Sequence, residues 1–316
     1  ACSFDASSRD FGDGSELMRA AKCNDVTEAK RLIVTSNINE ANAAGLTALH
    51  FAALYGSAAV LEILLDKETD VNLQDKDGWT ALMWAARYGH TEIGTLLVEN
   101  KAEVNLQDNI GWSALILAGS FGHTDMGTLL VENKAEVNLQ TKAGWSALMR
   151  AARYGHTEIG TLLVENKAEV NLQDNIGWSA LIYAARYGHT DMGKLLVENK
   201  ADLNLQTKTG VSALMIAAVY GHTDIGQSAG GEQGRRQHAG GIWRHRTARG
   251  RRARPPEDGR SAGGAWRRCK CAKPCRRDPF DVGCRQWRQG DGEVADRQGQ
   301  GLGRRHGPTN GGRFLS

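Results

Sequence analysis

Residues 78–110 read GWTALMWAARYGHTEIGTLLVENKAEVNLQDNI, and Gly111 begins the same phrase again. Inside it, Leu82, Ala85 and Ala86 are spaced i, i+3, i+4, which predicts the buried stripe of one helix. Ile93, Leu96 and Leu97 predict a second. Thr80 stands where its hydroxyl would cap the first helix, a role that Ser113, Ser146, Ser179 and Ser212 repeat, and Gly89 would stop that helix. Thr91 is expected to cap the second helix, with Glu92 against its positive end and Asn100 or Lys101 closing it. Helices this short do not persist alone, because nucleation costs more than one or two turns return.

Outward from this unit the period holds. Gly45, Gly78, Gly111, Gly144, Gly177 and Gly210 are each 33 residues apart, and so are Gly56, Gly89, Gly122, Gly155, Gly188 and Gly221. Two apolar segments per unit give helix, turn, helix and long loop, an all-α solenoid in which each unit stacks on the next. Small Ala pairs on the first helices allow an approach of about 8–10 Å.

The phrase resembles the ankyrin repeat. The family's T-P-L-H-x-A-A signature is most nearly matched by Thr47-Ala48-Leu49-His50-Phe51-Ala52-Ala53, and its E-x-G-A-D-V-N stretch by Glu198-Asn199-Lys200-Ala201-Asp202-Leu203-Asn204. The likeness covers residues 14–226: six units in register, the last truncated, preceded by a degenerate capping repeat at 14–38. Residues 1–13 are expected to be a disordered N-terminus. Three departures stand out. Ala replaces Pro at the first helical position, giving up a pre-set φ. Lys101, Lys134, Lys167 and Lys200 occupy a place where the family prefers left-handed Gly, each with an Asn before it. Gly94, Gly127, Gly160, Gly193 and Gly226 lie inside the second helix, each costing about 1 kcal/mol relative to Ala. A soft array is expected, one that Val at Gly127 and Gly160 would stiffen by filling the stack.

The formal charge of +3 over 316 residues averages two compositions: residues 1–226 carry 18 Lys+Arg against 28 Asp+Glu, a balance of −10, and residues 227–316 carry 21 against 8, a balance of +13. This Arg/Gly-rich stretch reads as an unstructured tail able to hold nucleic acid non-specifically through its Arg clusters. Its letters fit a further reading, a one-base shift of the coding frame near Gly226. Back-translated one base later, Gln227–Gly234 permits N-L-L-V-E-N-K, Arg244–Arg251 permits V-T-A-L-H-V-A-A, and Ser261–Lys270 permits L-L-V-E-H-G-A-D-V-N. The sole Trp codon becomes a Gly codon in that frame, and Trp243 stands 33 residues after Gly210, where the next turn glycine belongs.

Other chemistries fit poorly. No run of about 18 apolar residues would span a membrane. The start ACSFDASSRDFGDG has no signal-peptide pattern, so a cytoplasmic or nuclear location and a reduced set of thiols are expected. Cys269, Cys271, Cys275 and Cys284 match no common zinc spacing. Nothing follows GxxxxGK[ST], and no nucleophile has a base beside it, so neither a cofactor nor catalysis is expected. His90, His123, His156, His189 and His222 recur too regularly to be metal ligands and suit loop-to-loop hydrogen bonds; Asp75, Asp108 and Asp174 suit turns.

The resemblance implies a concave face bearing the residue after the turn glycine and those closing the first helix. These are Trp79, Trp112, Trp145 and Trp178, with Arg87-Tyr88, Ser120-Phe121, Arg153-Tyr154 and Arg186-Tyr187. Each Trp could instead pack on its neighbour. Because repeats spaced about 10 Å apart are too far for ring contact, a partner side chain is expected between successive indoles. The function expected is non-catalytic protein–protein binding by a monomeric scaffold, with a basic or extended segment lying across Trp112, Trp145 and Trp178. Alternatives are a nucleic-acid-associated protein using the basic tail, and the targeting module of a larger enzyme.

Overall fold

Thr80, Ser113, Ser146, Ser179 and Ser212 each accept a hydrogen bond from the backbone N–H three residues on, as expected of N-caps. From each cap a helix of 8 residues runs to a glycine in the left-handed conformation. The computed structural model describes residues 14–222 apart from Glu68, together with Asp224, all within the unit Ala1–His245. The expected N-terminal segment 1–13 and the tail 227–316, with its shifted-frame and nucleic-acid readings, lie outside the described residues.

The helices are α1 (Glu16–Cys23), α2 (Val26–Leu32), α3 (Ala48–Tyr55), α4 (Ala58–Leu65), α5 (Ala81–Tyr88) and α6 (Thr91–Glu99). They continue as α7 (Ala114–Phe121), α8 (Thr124–Glu132), α9 (Ala147–Tyr154), α10 (Thr157–Glu165), α11 (Ala180–Tyr187), α12 (Thr190–Glu198) and α13 (Ala213–Tyr220). Among the described residues the only extended pairing is an isolated antiparallel bridge between Gln206 and Ser212. From α1 to α11 each odd-numbered helix packs on its even-numbered partner, successive odd-numbered helices through α13 pack on one another, and the even-numbered helices form a second row. Cys23, at the end of α1, is disulfide-bonded, which the expectation of reduced thiols did not foresee.

The first helix of a repeat is enclosed on more sides than a single stripe implies. In α5 every residue from Ala81 to Ala86 is buried, including Met83 and Trp84, because neighbouring first helices press on it from both sides. The second helix α6 buries Ile93, Gly94 and Leu97, while Leu96 is half-buried. Its cap differs from the expectation. The helix begins at Thr91 itself, with His90 in the N-cap position and no side-chain capping bond. The histidine acts across repeats instead: its ring bonds to the Leu54 carbonyl at 3.3 Å, and His123, His156 and His189 donate to the carbonyls of Arg87, Ser120 and Arg153 at 3.1–3.2 Å.

The loops are tied with the same register. Asp75 Oδ1 accepts from the N–H groups of Asp77 and Trp79 at 2.9 and 2.8 Å, and Asp108 and Asp174 repeat that turn. Gln74 Nε2 donates to the Gly78 carbonyl and to the Gln107 carbonyl one repeat on, a step that Gln107, Gln140 and Gln173 continue. Lys101, Lys134, Lys167 and Lys200 do adopt left-handed φ, between 65° and 66°. The Asn before each sends its side-chain N–H back to the carbonyl four residues earlier at 2.8–2.9 Å, closing the helix.

The glycines inside the second helices are not vacancies. A Cβ at Gly127 would stand 2.8 Å from Ile159 Cδ1 and 3.2 Å from Leu162 Cδ2, both from the next repeat. At Gly94 and Gly160 it would meet the Cε of Met126 and Met192 at 2.7 and 2.5 Å. At Gly127 the missing side chain is where Ile159 of the neighbouring repeat sits, so the expected gain from filling is corrected there; at Gly160 the contact is the end of a flexible methionine. Gly127→Val should lower stability by about 1–3 kcal/mol through overpacking against the β-branched Ile159, read as a drop in thermal midpoint.

His50 is 1 % exposed in α3. Its Nδ1 accepts from the Thr47 N–H, and its Nε2–H lies 3.1 Å from the carbonyls of Leu73 and Trp79. Burial pushes its pKa down to about 4. The unfolded chain therefore takes up a proton near pH 6.5 that the folded chain refuses until about pH 4, and stability falls as pH drops through that window. His90 and His156, lowered by burial, act in the same direction; the carboxyls of Asp75, Asp108 and Asp174, raised by burial, oppose it toward the acid end. Between pH 7 and pH 5 the unfolding free energy should fall by about 2 kcal/mol on account of His50. In urea titrations His50→Met, with the residue α5 and α9 carry at that position, should lose most of this dependence.

Candidate functional site

The four Trp residues follow the loop glycines, and the backbone of each is held by the loop turn. Asp75, Asp108 and Asp174 accept from the N–H groups of Trp79, Trp112 and Trp178, and Thr141 Oγ1 accepts from Trp145 N–H at 3.1 Å. Beside each indole comes the fourth residue of a first helix. Trp84 lies 4.6 Å from Trp79, centroid to centroid. The Arg150 Cζ is 4.8 Å from the Trp112 ring and 4.9 Å from the Trp145 ring. Tyr183 lies 4.5 Å from Trp145 and 4.9 Å from Trp178. The slots expected to receive a partner's side chain between Trp112, Trp145 and Trp178 are thus filled by the chain itself. Trp145, covered by Arg150 and Tyr183, is only 8 % exposed and is part of the core.

Arg150 is a buried cation held without a carboxylate among the described residues. Its Nε–H donates to Ser120 Oγ at 2.8 Å and its Nη2 donates to Tyr154 Oη at 3.1 Å. Burial lowers its pKa and the nearby charge of Arg153 pushes the same way, yet a guanidinium stays protonated at neutral pH. Two indole faces and two hydroxyl groups supply the attraction that water would otherwise give. Arg186 is also inside, stacked over Trp178, Tyr187 and Tyr220 and donating to the Tyr220 hydroxyl. Tyr183 donates to Asp174 Oδ2, and burial beside that carboxylate raises its pKa.

The expected site residues therefore divide by exposure. Trp145 and Arg186 are buried, against the expectation that they face a partner. Trp79, Trp112, Trp178, Arg87, Arg153 and Tyr187 are half-buried. Tyr88, Phe121 and Tyr154 stand 45 %, 38 % and 44 % exposed at the same helix end of three successive repeats. Each of these rings leans on the histidine two residues on, with centroids 6.1–6.2 Å apart, so its direction is set before anything binds. Arg87 lies 5.5–5.7 Å from Trp79, Tyr88 and Phe121, and Arg153 lies 5.2–5.7 Å from Trp145, Tyr154 and Tyr187. Arg and aromatic side chains thus alternate along the first-helix row.

The sequence reading missed Trp84, Arg150 and Tyr183. A signal was present: this position changes from repeat to repeat (Phe51, Trp84, Leu117, Arg150, Tyr183, Ile216) inside a phrase that is otherwise nearly constant. Among the described residues no group of His, Cys, Asp and Glu is arranged to hold a metal ion.

A family model of ankyrin repeats in three copies matches the chain at residues 17–108, 96–174 and 161–228. No curated protein matches it.

Burial separates the two roles a Trp could have here. Trp145→Ala should cost about 3–5 kcal/mol of stability by removing the ring between Arg150 and Tyr183. Tyr154→Phe, which keeps the exposed ring, should cost about 1 kcal/mol for the bond to Arg150. Paired denaturation curves of the two variants check the contrast.

Proposed function

This chain belongs to the ankyrin repeat family, and we propose that it is a non-catalytic, monomeric scaffold that holds a protein partner along its row of first helices. Ankyrin repeats are generic protein–protein interaction modules, and the family is generally not enzymatic. Among the described residues no helix is long and apolar enough to cross a membrane.

One observation carries the proposal: Tyr88, Phe121 and Tyr154 present rings to solvent at equivalent positions, each steadied by a histidine. Large rings with few rotors, already oriented, lose little entropy on binding, and Tyr, Trp and Arg dominate interface hot spots. The loop tips add apolar surface, with Ile110 58 % and Ile176 41 % exposed. The shoulders of this surface are the half-buried Trp79, Trp112 and Trp178 with Arg87, Arg153 and Tyr187. Trp145 and Arg186 hold those neighbours in place from within.

A photo-crosslinking residue placed at Tyr154 should capture the partner, and the same residue at Glu158 on α10 should not. Phe121→Ser together with Tyr154→Ser should weaken that partner by about tenfold or more, which is about 1.4 kcal/mol, with helix content retained. Unchanged affinity in the folded double variant would sink the proposal.

A further inference from the structure

Charge is sorted between the two helix rows. From α3 onward the first helices contain no Asp or Glu, and their cations are Arg87, Arg150, Arg153 and Arg186. The second helices have the opposite sign. α6, α8, α10 and α12 open with Glu92, Asp125, Glu158 and Asp191 in their first turns, and each ends on a Glu. The exposed loop acids Glu103, Glu136, Glu169 and Asp202 follow those helices, each two residues after an exposed lysine (Lys101, Lys134, Lys167 or Lys200). At the other end of the first helices, the loop tips expose Lys76, Lys142 and Lys208, with the exposed Asp77 beside Lys76. The carboxylates of Asp75, Asp108 and Asp174 in these loops are tied to backbone N–H groups. The −10 balance of residues 1–226 thus belongs largely to the second-helix side, and the expectation of a basic partner drawn from it looked at the wrong row.

We propose that the first-helix face takes an extended acidic peptide segment, whose carboxylates sit on Arg87 and Arg153 while its backbone crosses Tyr88, Phe121 and Tyr154. This rests on the reading of that face as the interface. Stacking against rings limits the freedom of each guanidinium, and a planar fork suits a carboxylate through paired N–H···O bonds. Arg150 strengthens the pull: its charge lies close to Arg153, and its own bonds go to the hydroxyls of Ser120 and Tyr154. The spacing also fits. First helices pack about 8–10 Å apart, the length of roughly three residues of extended chain. Arg87 and Arg153 are two repeats apart, so acids six residues apart would meet both. Nucleic acid fits less well. Single strands need open ring faces for base stacking, whereas Trp145 is covered on both sides and the exposed rings lean on histidines.

The test uses fluorescein-labelled peptides of five Glu-Ser-Gly triplets, their Gln-Ser-Gly and Lys-Ser-Gly counterparts, and a dT oligonucleotide of similar length, titrated by anisotropy with the full chain. The Glu peptide should bind about tenfold tighter than the Gln peptide, and the gap should shrink with added salt. Arg87→Gln with Arg153→Gln should remove about fivefold or more of that affinity, Arg87→Lys with Arg153→Lys should restore part of it, and Glu92→Gln with Glu158→Gln should leave it unchanged. Circular dichroism verifies that each variant is folded. Glu-peptide binding that survives loss of both Arg residues, as attachment to the basic residues 227–316 would, overturns the inference. So does a Lys peptide or the oligonucleotide being the probe that depends on them. A Lys or Gln peptide lost on Phe121→Ser with Tyr154→Ser leaves the face as an interface while removing its acidic preference. If no probe responds to either set of substitutions, both the inference and the underlying reading fail.

Discussion

A helix of seven to nine residues makes too few internal hydrogen bonds to persist in water, so each helix here depends on groups supplied by the repeat beside it. The supply is specific. The ring of His123 bonds to the carbonyl of Arg87, Gln107 Nε2 reaches the carbonyl of Gln140, and Asn72 Oδ1 accepts from the Glu103 N–H at 2.8 Å. Apolar contact follows the same rule, because Ile159 and Leu162 occupy the place a side chain at Gly127 would need. A glycine that weakens its own helix thereby lets the next one close. Propensity and packing oppose each other at that residue, and the contact across repeats prevails.

The same dependence shapes the exposed face. A Trp at each loop cannot touch the next Trp across the width of a repeat, so a third side chain must bridge them or leave a gap. Arg150 and Tyr183 bridge, and they do so differently: one brings a charge and binds through hydroxyl groups, the other anchors on Asp174. Repeats that are almost identical along the phrase thus acquire different surfaces through the fourth residue of the first helix. Where this position or the helix end carries a charge, at Arg87, Arg150, Arg153 and Arg186, it is positive, while α6, α8, α10 and α12 carry a net negative charge. Such an array presents two opposite electrostatic faces from one repeating sequence.

The two ends of the described array also differ in kind. At α1 the outward residues are polar: Glu16 and Arg19 are exposed, and Lys22 lies over the Tyr55 ring at 5.2 Å. A terminal repeat with such a face suits water. At α13 the outward residues are Met215, Val219 and Tyr220, 40 %, 77 % and 40 % exposed. Ile182, at the equivalent of Met215 one repeat earlier, is buried under α13 itself. The α13 face therefore has the composition of an internal repeat.

What could be read in the letters was what a residue does within a few positions of itself. Ser146 as a cap, Gly155 as a stop and Asp174 as a turn former follow from local backbone chemistry, the left-handed Lys167 was implied by the resemblance, and all are found. The 33-residue period then added that the histidines bond from repeat to repeat, although they reach carbonyls at the ends of first helices rather than loop to loop. The errors lie where the answer depends on distance between side chains in different repeats. Trp145 looks like a surface residue until Arg150 and Tyr183 are placed against its faces, and Gly127 looks like a defect until Ile159 is placed in its space. Thr91 does not cap, because the helix starts one residue earlier than a threonine cap requires; His90 takes the N-cap position without capping, and its ring bonds to the preceding repeat. Periodicity names the neighbours of a residue, but only the offset between stacked helices says which atoms of those neighbours arrive, and at the binding face that offset decides which rings remain open.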